Sequence, residues 1–161
     1  MSREELTDKI LVLKARLGDK QAFASIYNKY VGKLYRFAFY KTSSKEVAED
    51  LVSQTFLKAW EKIIAGGQIK SLQALLYRIT RNLIIDFYRS KQRTELSLEY
   101  DVAEDKLPSQ ELHANVDQDL IKKAVASIKN ADHKEIIILR YIEDLSISEI
   151  AKILDKSPGN V

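Results

Sequence analysis

The sequence predicts an all-α protein of two small helical domains joined by an acidic flexible linker. Three observations lead to this prediction. The 161 residues include five Gly and two Pro, too few for the many tight turns of an all-β protein. Apolar residues recur at helical spacing through most of the chain, often after a residue that can cap a helix. The charge is also divided into three blocks along the chain.

The charge blocks suggest where the domains begin and end. Residues 1–93 carry 18 Lys and Arg against nine Asp and Glu, a net charge of +9. Residues 94–117 carry one Lys against seven acids, a net charge of −6, and residues 118–161 carry seven of each sign. We therefore expect domains over 1–93 and 118–161 and a linker over 94–117. The basic first block favours a polyanionic partner, nucleic acid first; a merely solvated basic surface is the alternative.

Several classes of protein are disfavoured by the residue types that are missing. Cysteine is absent, which excludes disulfides and thiolate metal sites, and the two histidines, His113 and His133, are too few for a histidine-rich metal site. Gly66 and Gly67 do not form a glycine-rich phosphate loop, and no nucleophile with a partner base is evident. The charged N-terminus does not resemble a signal peptide, and no apolar run has the length of a membrane helix. We expect no enzyme activity, no cofactor and no metal ion, and a cytoplasmic protein.

Four helices are predicted in the first domain. They cover residues 3–17, 20–41, about 45–64 and about 71–92. The first carries one apolar stripe, made of Leu6, Ile10, Leu13 and Leu17. Ser43 and Glu46 have the spacing of a capping box at the start of the third helix. Gly66 and Gly67 open the loop that precedes the fourth.

The second domain shows three helix signals and the start of a fourth. The first helix is predicted over 118–129, and the other two begin at capping-type pairs, Asp132 with Glu135 and Ser146 with Glu149. Ser157 then stands as an N-cap, with Pro158 at the first helical position. Residues 145–161 thus have the form of a helix-turn-helix, which would place its second helix in a DNA major groove. A helical hairpin in a small bundle is the alternative.

Two polar helix faces are candidates for binding. On the helix over 71–92, the face opposite the apolar side carries Arg78, Arg81, Asn82, Asp86, Arg89 and Arg93, with Tyr88 at its flank. Arginines bind phosphates, Asn reads base edges and an aromatic ring can stack on a base, so this face favours nucleic acid. The helix over 45–64 exposes Asp50, Ser53, Gln54, Leu57 and Glu61, where a Leu among polar residues is typical of a partner contact. An ordinary solvated face is the alternative in both cases.

Five segments, in this order, resemble a bacterial sigma factor of the extracytoplasmic-function type. They are Gly18-Asp19-Lys20-Gln21-Ala22-Phe23 with Ile26-Tyr27; Ala48-Glu49-Asp50-Leu51-Val52-Ser53-Gln54-Thr55-Phe56-Leu57-Lys58-Ala59-Trp60; Leu76-Tyr77-Arg78-Ile79-Thr80-Arg81-Asn82-Leu83-Ile84-Ile85-Asp86; Ile138-Leu139-Arg140-Tyr141; and Ser146-Ile147-Ser148-Glu149-Ile150-Ala151. The second is the most specific of the family's motifs. The resemblance covers nearly the whole chain.

The resemblance implies a role for each part of the chain. Region 2, the first domain, would bind the β′ clamp helices of core RNA polymerase through Asp50, Gln54, Leu57 and Lys58. The loop over 64–70 and the arginine face would capture the opened minus-ten element; the face residues assigned to DNA are Arg78, Arg81, Asn82, Tyr88, Arg89 and Arg93. The acidic linker would thread toward the active-site channel of the polymerase. Region 4, the second domain, would approach the minus-thirty-five element with Ser157 and Asn160, and an anti-sigma factor is a further implied partner.

The chain also departs from the pattern of the family. Ser53-Gln54 stands where the family usually has Gln and an acid, and Leu72 and Leu75 stand where it often has aromatic residues. The family's recognition helix continues past the position of Val161, so we expect impaired contact with the minus-thirty-five element and a looser second domain. Two further hypotheses therefore remain beside the sigma factor. One is a truncated or decoy module that binds polymerase or an anti-sigma protein, and the other is a helix-turn-helix regulator that binds duplex DNA directly.

Overall fold

The computed structural model describes the backbone of residues 1–97 and 116–161 and the side chains of 1–94 and 119–161. Within these ranges the chain forms α-helices and no strand, which confirms the all-α prediction. The helices are α1 Arg3–Arg16, α2 Lys20–Thr42, α3 Lys45–Ile64, α4 Leu72–Ser97, α5 Val116–Ala126, α6 Ala131–Ile137 and α7 Ile147–Leu154. A π-helical turn, Ile138–Ile142, follows α6, and a 3₁₀ turn, Pro158–Asn160, follows α7.

The predicted linker over 94–117 lies largely outside the described residues. At its two ends the helices extend further than predicted, because α4 continues to Ser97 and α5 already begins at Val116.

Helix α2 is the centre of the first bundle and packs against α1, α3 and α4. Its buried side chains recur every three to four residues, as one face of a helix requires: Ala22, Ile26, Tyr30, Leu34, Phe37 and Ala38. The ring of Phe37 meets that of Tyr77 on α4 edge to face, with centroids 5.4 Å apart. This apolar packing holds α3 and α4, the two helices with candidate binding faces, on a common support.

The junction between α2 and α3 differs by one residue from the prediction. Ser43 ends α2 in the left-handed conformation, with φ +56°, and Ser44 is the N-cap of α3. The Ser44 hydroxyl accepts a hydrogen bond from the Val47 N–H at 3.3 Å. The predicted Ser43–Glu46 box is therefore wrong, because Ser43 is needed to turn the chain and the adjacent Ser performs the cap.

Helix α1 presents a different face to the bundle from the one predicted. Its buried residues are Asp8, Val12 and Ala15, whereas the stripe of Leu6, Ile10, Leu13 and Leu17 is exposed. Asp8 is satisfied inside the bundle, where it accepts hydrogen bonds from Lys29 Nζ at 2.7 Å and from the hydroxyl of Tyr30. These bonds fix the rotation of α1 and leave its larger apolar stripe on the surface.

Helix α6 begins differently from the prediction. Asn130 caps it by accepting from the N–H groups of Asp132 and His133, so Asp132 is not the cap and Glu135 is not its capping partner. Glu135 is instead buried and forms ion pairs with other helices. Helix α5 exposes Leu120 and Ile121 and buries Val125.

Helix α7 confirms the predicted capping box. The Ser146 hydroxyl accepts from the Glu149 N–H at 3.2 Å, and Glu149 accepts from the Ser146 N–H at 2.8 Å. Asp155 ends the helix with φ +56°, and Ser157 leads into the 3₁₀ turn without a side-chain capping bond. The helix-turn-helix is therefore present up to this turn.

The C-terminal helices pack directly on the first bundle. Helix α7 contacts α4, while α5 and the π-helical turn contact α2. Ile150 and Ile153 are buried, and Leu154 is half-buried. The looser second domain expected from the sequence is not seen at Ile150, whose side chain is buried in the same core as the bundle.

Candidate nucleic-acid interface

The stripe that the sequence assigns to a protein partner lies on the outer face of α3. Asp50, Gln54, Leu57 and Lys58 are all exposed, and the Leu57 side chain is 61% accessible. Gln54 Nε2 donates a hydrogen bond to Asp50 Oδ2 at 2.8 Å, one helical turn away. The result is an ordered polar edge beside an isolated apolar side chain, which is the composition of a protein contact rather than of a phosphate site.

The inner face of α3 keeps this stripe in place. The hydroxyls of Thr55 on α3 and Thr80 on α4 lie 3.0 Å apart and are fully buried. Each hydroxyl also lies within hydrogen-bond distance of the carbonyl four residues earlier in its own helix, Leu51 for Thr55 and Leu76 for Thr80. Since a hydroxyl has one proton, one threonine donates across the pair and the other donates to its own helix carbonyl. This buried pair cross-links α3 and α4, so the partner stripe and the arginine face are parts of one rigid unit.

The arginine face of α4 is bonded at its N-terminal end to α7. Arg78 donates from Nε to the carbonyl of Ile153 at 3.2 Å and from a terminal nitrogen to the carbonyl of Lys152. The same guanidinium lies 3.4 Å from Asp155 Oδ1. These three groups belong to the C-terminal end of α7 and its cap, where exposed carbonyls attract a cation.

Arg81 forms the shortest ion pair of this surface. Its Nε lies 2.7 Å from Glu135 Oε1, and Lys41 Nζ approaches the same oxygen at 4.0 Å. Glu135 is 3% exposed, so the pair is shielded from solvent on the carboxylate side. Burial lowers the pKa of Lys41, and the Glu135 carboxylate acts against that shift.

A second buried carboxylate joins the π-helical turn to the bundle. Glu143 accepts two hydrogen bonds from Arg36, each at 3.2 Å, and one from the Tyr77 hydroxyl at 3.0 Å. Burial raises the pKa of Glu143, while the bonds from Arg36 and Tyr77 act in the opposite direction. The extra residue of the π-helical turn positions Glu143, whose N–H donates to the Ile138 carbonyl five residues back.

The sequence did not identify Glu135 and Glu143 as functional residues. Glu135 was interpreted as a capping residue and Glu143 was not singled out. The partners of Glu135 on α2 and α4 lie more than 50 residues away in the sequence, so local spacing carried no signal for them. A signal was present in composition, because both are acids within apolar helical segments, where an acid requires a partner.

The C-terminal part of the arginine face is open. Asn82, Arg89 and Arg93 are exposed, as predicted. The Tyr88 hydroxyl donates to the Lys41 carbonyl at 2.6 Å, and burial raises the pKa of that hydroxyl. The structure therefore divides the predicted DNA face into two parts: Arg78 and Arg81 are bonded to the C-terminal helices, although Arg78 stays exposed, and the other part is open to solvent.

The remaining predicted positions lie at two turns. In the loop over 64–70, Gly66 adopts φ +80° and Arg16 donates to the carbonyls of Ile63 and Gly67. This ties the loop to α1. Ser157 and Asn160 are exposed in the 3₁₀ turn, where the Asn160 N–H donates to the Ser157 carbonyl at 2.9 Å. The two aliphatic departures from the family pattern are inside the fold, since Leu72 is buried and Leu75 half-buried.

Neither a metal centre nor a membrane span is found in the described part of the chain. Among residues 1–94 and 119–161, no three Asp, Glu or His side chains cluster so that they could hold a metal ion. None of the described helices combines the length and apolarity needed to cross a bilayer.

Comparison with known proteins finds a family match in each of the two predicted domains. The family profile for Sigma-70 region 2 matches residues 26–94, and the profile for Sigma-70 region 4 matches residues 130–161. Together they cover more than half of the chain.

Among curated proteins, the chain is 31% identical to the ECF RNA polymerase sigma factor BldN of Streptomyces coelicolor, over 94% of this chain and 59% of BldN. It is 28% identical to the ECF RNA polymerase sigma factor SigW of Bacillus subtilis, over 98% of this chain and 90% of SigW. The chain thus spans less than two thirds of the length of BldN and most of that of SigW.

Two solved structures share the fold. The sigma factor RpoE of Bartonella quintana, in complex with the anti-sigma factor NepR, is 28% identical with a TM-score of 0.68, over 86% of both chains. CnrH, in complex with the cytosolic domain of CnrY, is 22% identical with a TM-score of 0.70, over 96% of this chain and 86% of CnrH.

Proposed function

Because the chain belongs to the extracytoplasmic-function group of the sigma-70 family, we propose that it is a promoter-specificity subunit of bacterial RNA polymerase. It binds the core enzyme, directs it to promoters and assists their melting, with no catalysis of its own. Its site of action is the cytoplasm, where the polymerase is. We propose that its two domains have the bounds expected from the charge blocks, 1–93 and 118–161.

The outer face of α3 carries this proposal. A 61% exposed Leu57 next to the bonded pair Asp50–Gln54 offers an apolar anchor with a polar rim. Lys58 adds a cation on the same face. We assign these residues to the β′ clamp helices. Gln54 replaces an acid of the family pattern, so the contact relies on hydrogen bonding and on Leu57 more than on charge.

The arginine face of α4 and the loop over 64–70 are the proposed minus-ten site. Arg89 and Arg93 supply cations for the phosphates, Asn82 can read a base edge, and the half-exposed Tyr88 ring offers a stacking surface. Stacking and phosphate contacts to a separated strand lower the cost of unpairing, so the site captures an opened strand and performs no chemistry.

Full use of this site requires the C-terminal helices to move. Arg78 and Arg81 are bonded to α7 and to Glu135, and a phosphate cannot occupy the same donors at the same time. We therefore propose that the free chain is closed and that promoter engagement takes place in an open form. Ser157 and Asn160 are the proposed contacts to the minus-thirty-five element in that form.

An anti-sigma factor is the further proposed partner. The similarity to RpoE, which is seen in complex with the anti-sigma factor NepR, supports this proposal. The engagement of Arg78 and Arg81 by the C-terminal helices favours a second candidate function, a decoy module that binds polymerase or the anti-sigma factor without reading promoters. Run-off transcription distinguishes the two, because a decoy supports polymerase binding and no promoter-specific transcript.

The proposal is tested by binding of the whole chain to core RNA polymerase. The chain contains no cysteine, so one introduced cysteine allows a single fluorescent label for anisotropy. We expect Leu57→Asp to weaken binding by about tenfold or more, since it places a charge in a desolvated contact. Leu120→Asp is the matched control, because Leu120 is 60% exposed and lies on α5.

Unchanged affinity of the Leu57→Asp variant would remove α3 from the polymerase contact. Failure of the unaltered, folded chain to bind core polymerase would contradict the sigma-factor proposal itself and leave a helix-turn-helix regulator that acts on duplex DNA.

A further inference from the structure

Helix α1 carries an apolar stripe that no other part of the described structure covers. Its residues, Leu6, Ile10, Leu13 and Leu17, are between 45% and 89% exposed. Exposed single apolar residues are common on proteins, but three in one line on α1, continued by Leu17 at the C-cap of the helix, are not. The opposite face of α1 is held in the bundle by the buried Asp8, Val12 and Ala15, so the stripe cannot turn inward.

The spacing of the stripe is that of a coiled-coil seam. Successive residues are separated by four, three and four positions, which places them at alternating d and a positions of a heptad. A seam of this type packs knobs into holes against another helix, whereas a flat sheet or a nucleic acid has no matching set of holes. The spacing therefore selects a helix as the occupant.

The charged residues on either side of the seam indicate the charge of the partner helix. The e and g positions beside it are Thr7, Lys9, Lys14 and Arg16, three cations and no acid. Lys9 and Lys14 are exposed, and Arg16 is half-buried through its bonds to the loop over 64–70. In a coiled coil these positions form the interhelical ion pairs, so they favour a partner with Glu or Asp there.

A cleft beside the seam also combines an apolar wall with positive charge. It has a volume of about 330 Å³ and lies between α1 and the loop over 64–70. Leu13 forms one apolar wall, and the charged residues around it are Lys9, Arg16 and Lys70, again without an acid. A helix docked on the seam can direct acidic side chains into this cleft.

We propose that α1 is a docking surface for an acidic amphipathic helix of a partner protein. A second copy of this chain does not fit, because pairing two α1 helices would bring Lys9, Lys14 and Arg16 close to their own equivalents. The surface is separate from the polymerase stripe on α3 and from the arginine face of α4, and the inference stands on α1 alone. It does not require the sigma-factor proposal to hold.

The test uses the full chain and a designed probe. The probe is a fluorescent synthetic helix of three heptads with Ile at a, Leu at d and Glu at e and g. A second probe carries Lys at e and g on the same seam. We expect saturable anisotropy with the Glu probe, weakened by salt, and weaker binding of the Lys probe by about tenfold or more.

Two matched variants locate the contact. Leu13→Gln should weaken binding of the Glu probe by about tenfold or more, because it removes one buried knob. Leu120→Gln, at a comparably exposed Leu on α5, should change it by less than about twofold. Both variants keep a helix-favouring side chain at a surface position, and circular dichroism checks that they fold.

Three results would overturn the proposal. One is an absence of binding by the Glu probe. Another is that the Glu and Lys probes bind equally well, or that the Leu13→Gln chain binds the Glu probe as tightly as the unaltered chain does. The third is a dimer of the unaltered chain in sedimentation that Leu13→Gln abolishes, because the occupant would then be a second copy. All three readouts are independent of polymerase and of promoter DNA.

Discussion

Arg81 of α4 points its Nε at Glu135 of α6 across a distance of 2.7 Å, and the carboxylate is buried beneath it. The arginine that the sequence assigns to promoter DNA is thus already paired with an anion of its own chain. Under the proposal above, Glu135 takes the donor that a phosphate would need, and this pairing is one physical basis of the proposed closed form. Nucleic acid must compete with an intramolecular carboxylate, whose effective concentration is high.

The first prediction concerns the release of Arg81. Glu135→Gln removes the charge that holds Arg81 and Lys41, and should weaken closure by about 1–3 kcal/mol, as expected for a partly buried pair. The affinity for single-stranded minus-ten DNA should rise, by up to about tenfold, measured by anisotropy. Asp132→Asn, an exposed acid on the same helix, makes the same charge change and should have little effect. A lower DNA affinity of the Gln variant would contradict the competition.

The second prediction is a pH dependence of closure. The pKa of Glu143 is raised in the closed form by burial, whereas in an open form the carboxyl titrates at its ordinary value. The closed form therefore binds a proton more tightly, and its stability is complete below the ordinary pKa and declines as pH rises through the raised one. Acidification toward pH about 4.5 should favour closure.

Comparing the pH dependence of closure in the unaltered chain and in the Glu143→Gln variant isolates the contribution of Glu143. Gln cannot titrate, so the slope of closure against pH, as pH rises from the ordinary pKa of a glutamate through the raised pKa of Glu143, should be smaller in the variant. Identical slopes in the two proteins would show that Glu143 does not link protonation to closure.

The third prediction concerns the buried hydroxyl pair between α3 and α4. Thr55→Val deletes one partner of the 3.0 Å contact and should lower the free energy of unfolding by about 1 kcal/mol in urea titrations. The double variant Thr55→Val/Thr80→Val should lose less than the sum of the two single variants, because no hydroxyl is then left without its partner. Strict additivity would mean that the two hydroxyls do not interact.

The fourth prediction concerns the helix-turn-helix. Ser146→Ala removes both bonds of the capping box of α7 that involve the hydroxyl, and should cost about 1 kcal/mol. Ser148→Ala, in the first turn of the same helix, is the control and should be nearly neutral. Hydrogen exchange of the α7 amides measures the difference, and equal protection in the two variants would contradict the role of the cap.

The sequence predicted the helices well because their signals are local. Apolar spacing and the Ser146 box depend only on residues within one or two turns, and both are present in the structure. The charge blocks and motifs likewise identified the exposed stripe on α3, since a polar run around Leu57 on an otherwise apolar helix is visible without tertiary information.

The sequence-based predictions were wrong where tertiary contacts decide which face of a helix is buried. Helix α1 offers two possible faces, and hydrophobicity favours the one with Leu6 and Leu13. The structure buries the other, because small side chains such as Ala15 allow close packing and Asp8 finds Tyr30 and Lys29 on α2. A buried acid with distant partners is invisible to a pattern of single residues.

The placement of the second domain could not be predicted for the same reason. It depends on pairs such as Glu143 with Arg36, which are 107 positions apart. No local spacing connects these residues, and only the completed fold brings them together.

The central claim, that a closed free chain opens to act with polymerase, is tested most directly by energy transfer within the chain. The absence of native cysteine allows donor and acceptor dyes at two introduced cysteines, in place of the exposed Lys62 on α3 and Lys156 after α7. We predict high transfer efficiency in the free chain and a clear fall when core RNA polymerase and single-stranded minus-ten DNA are added. Unchanged efficiency in a chain that has bound both would contradict the claim.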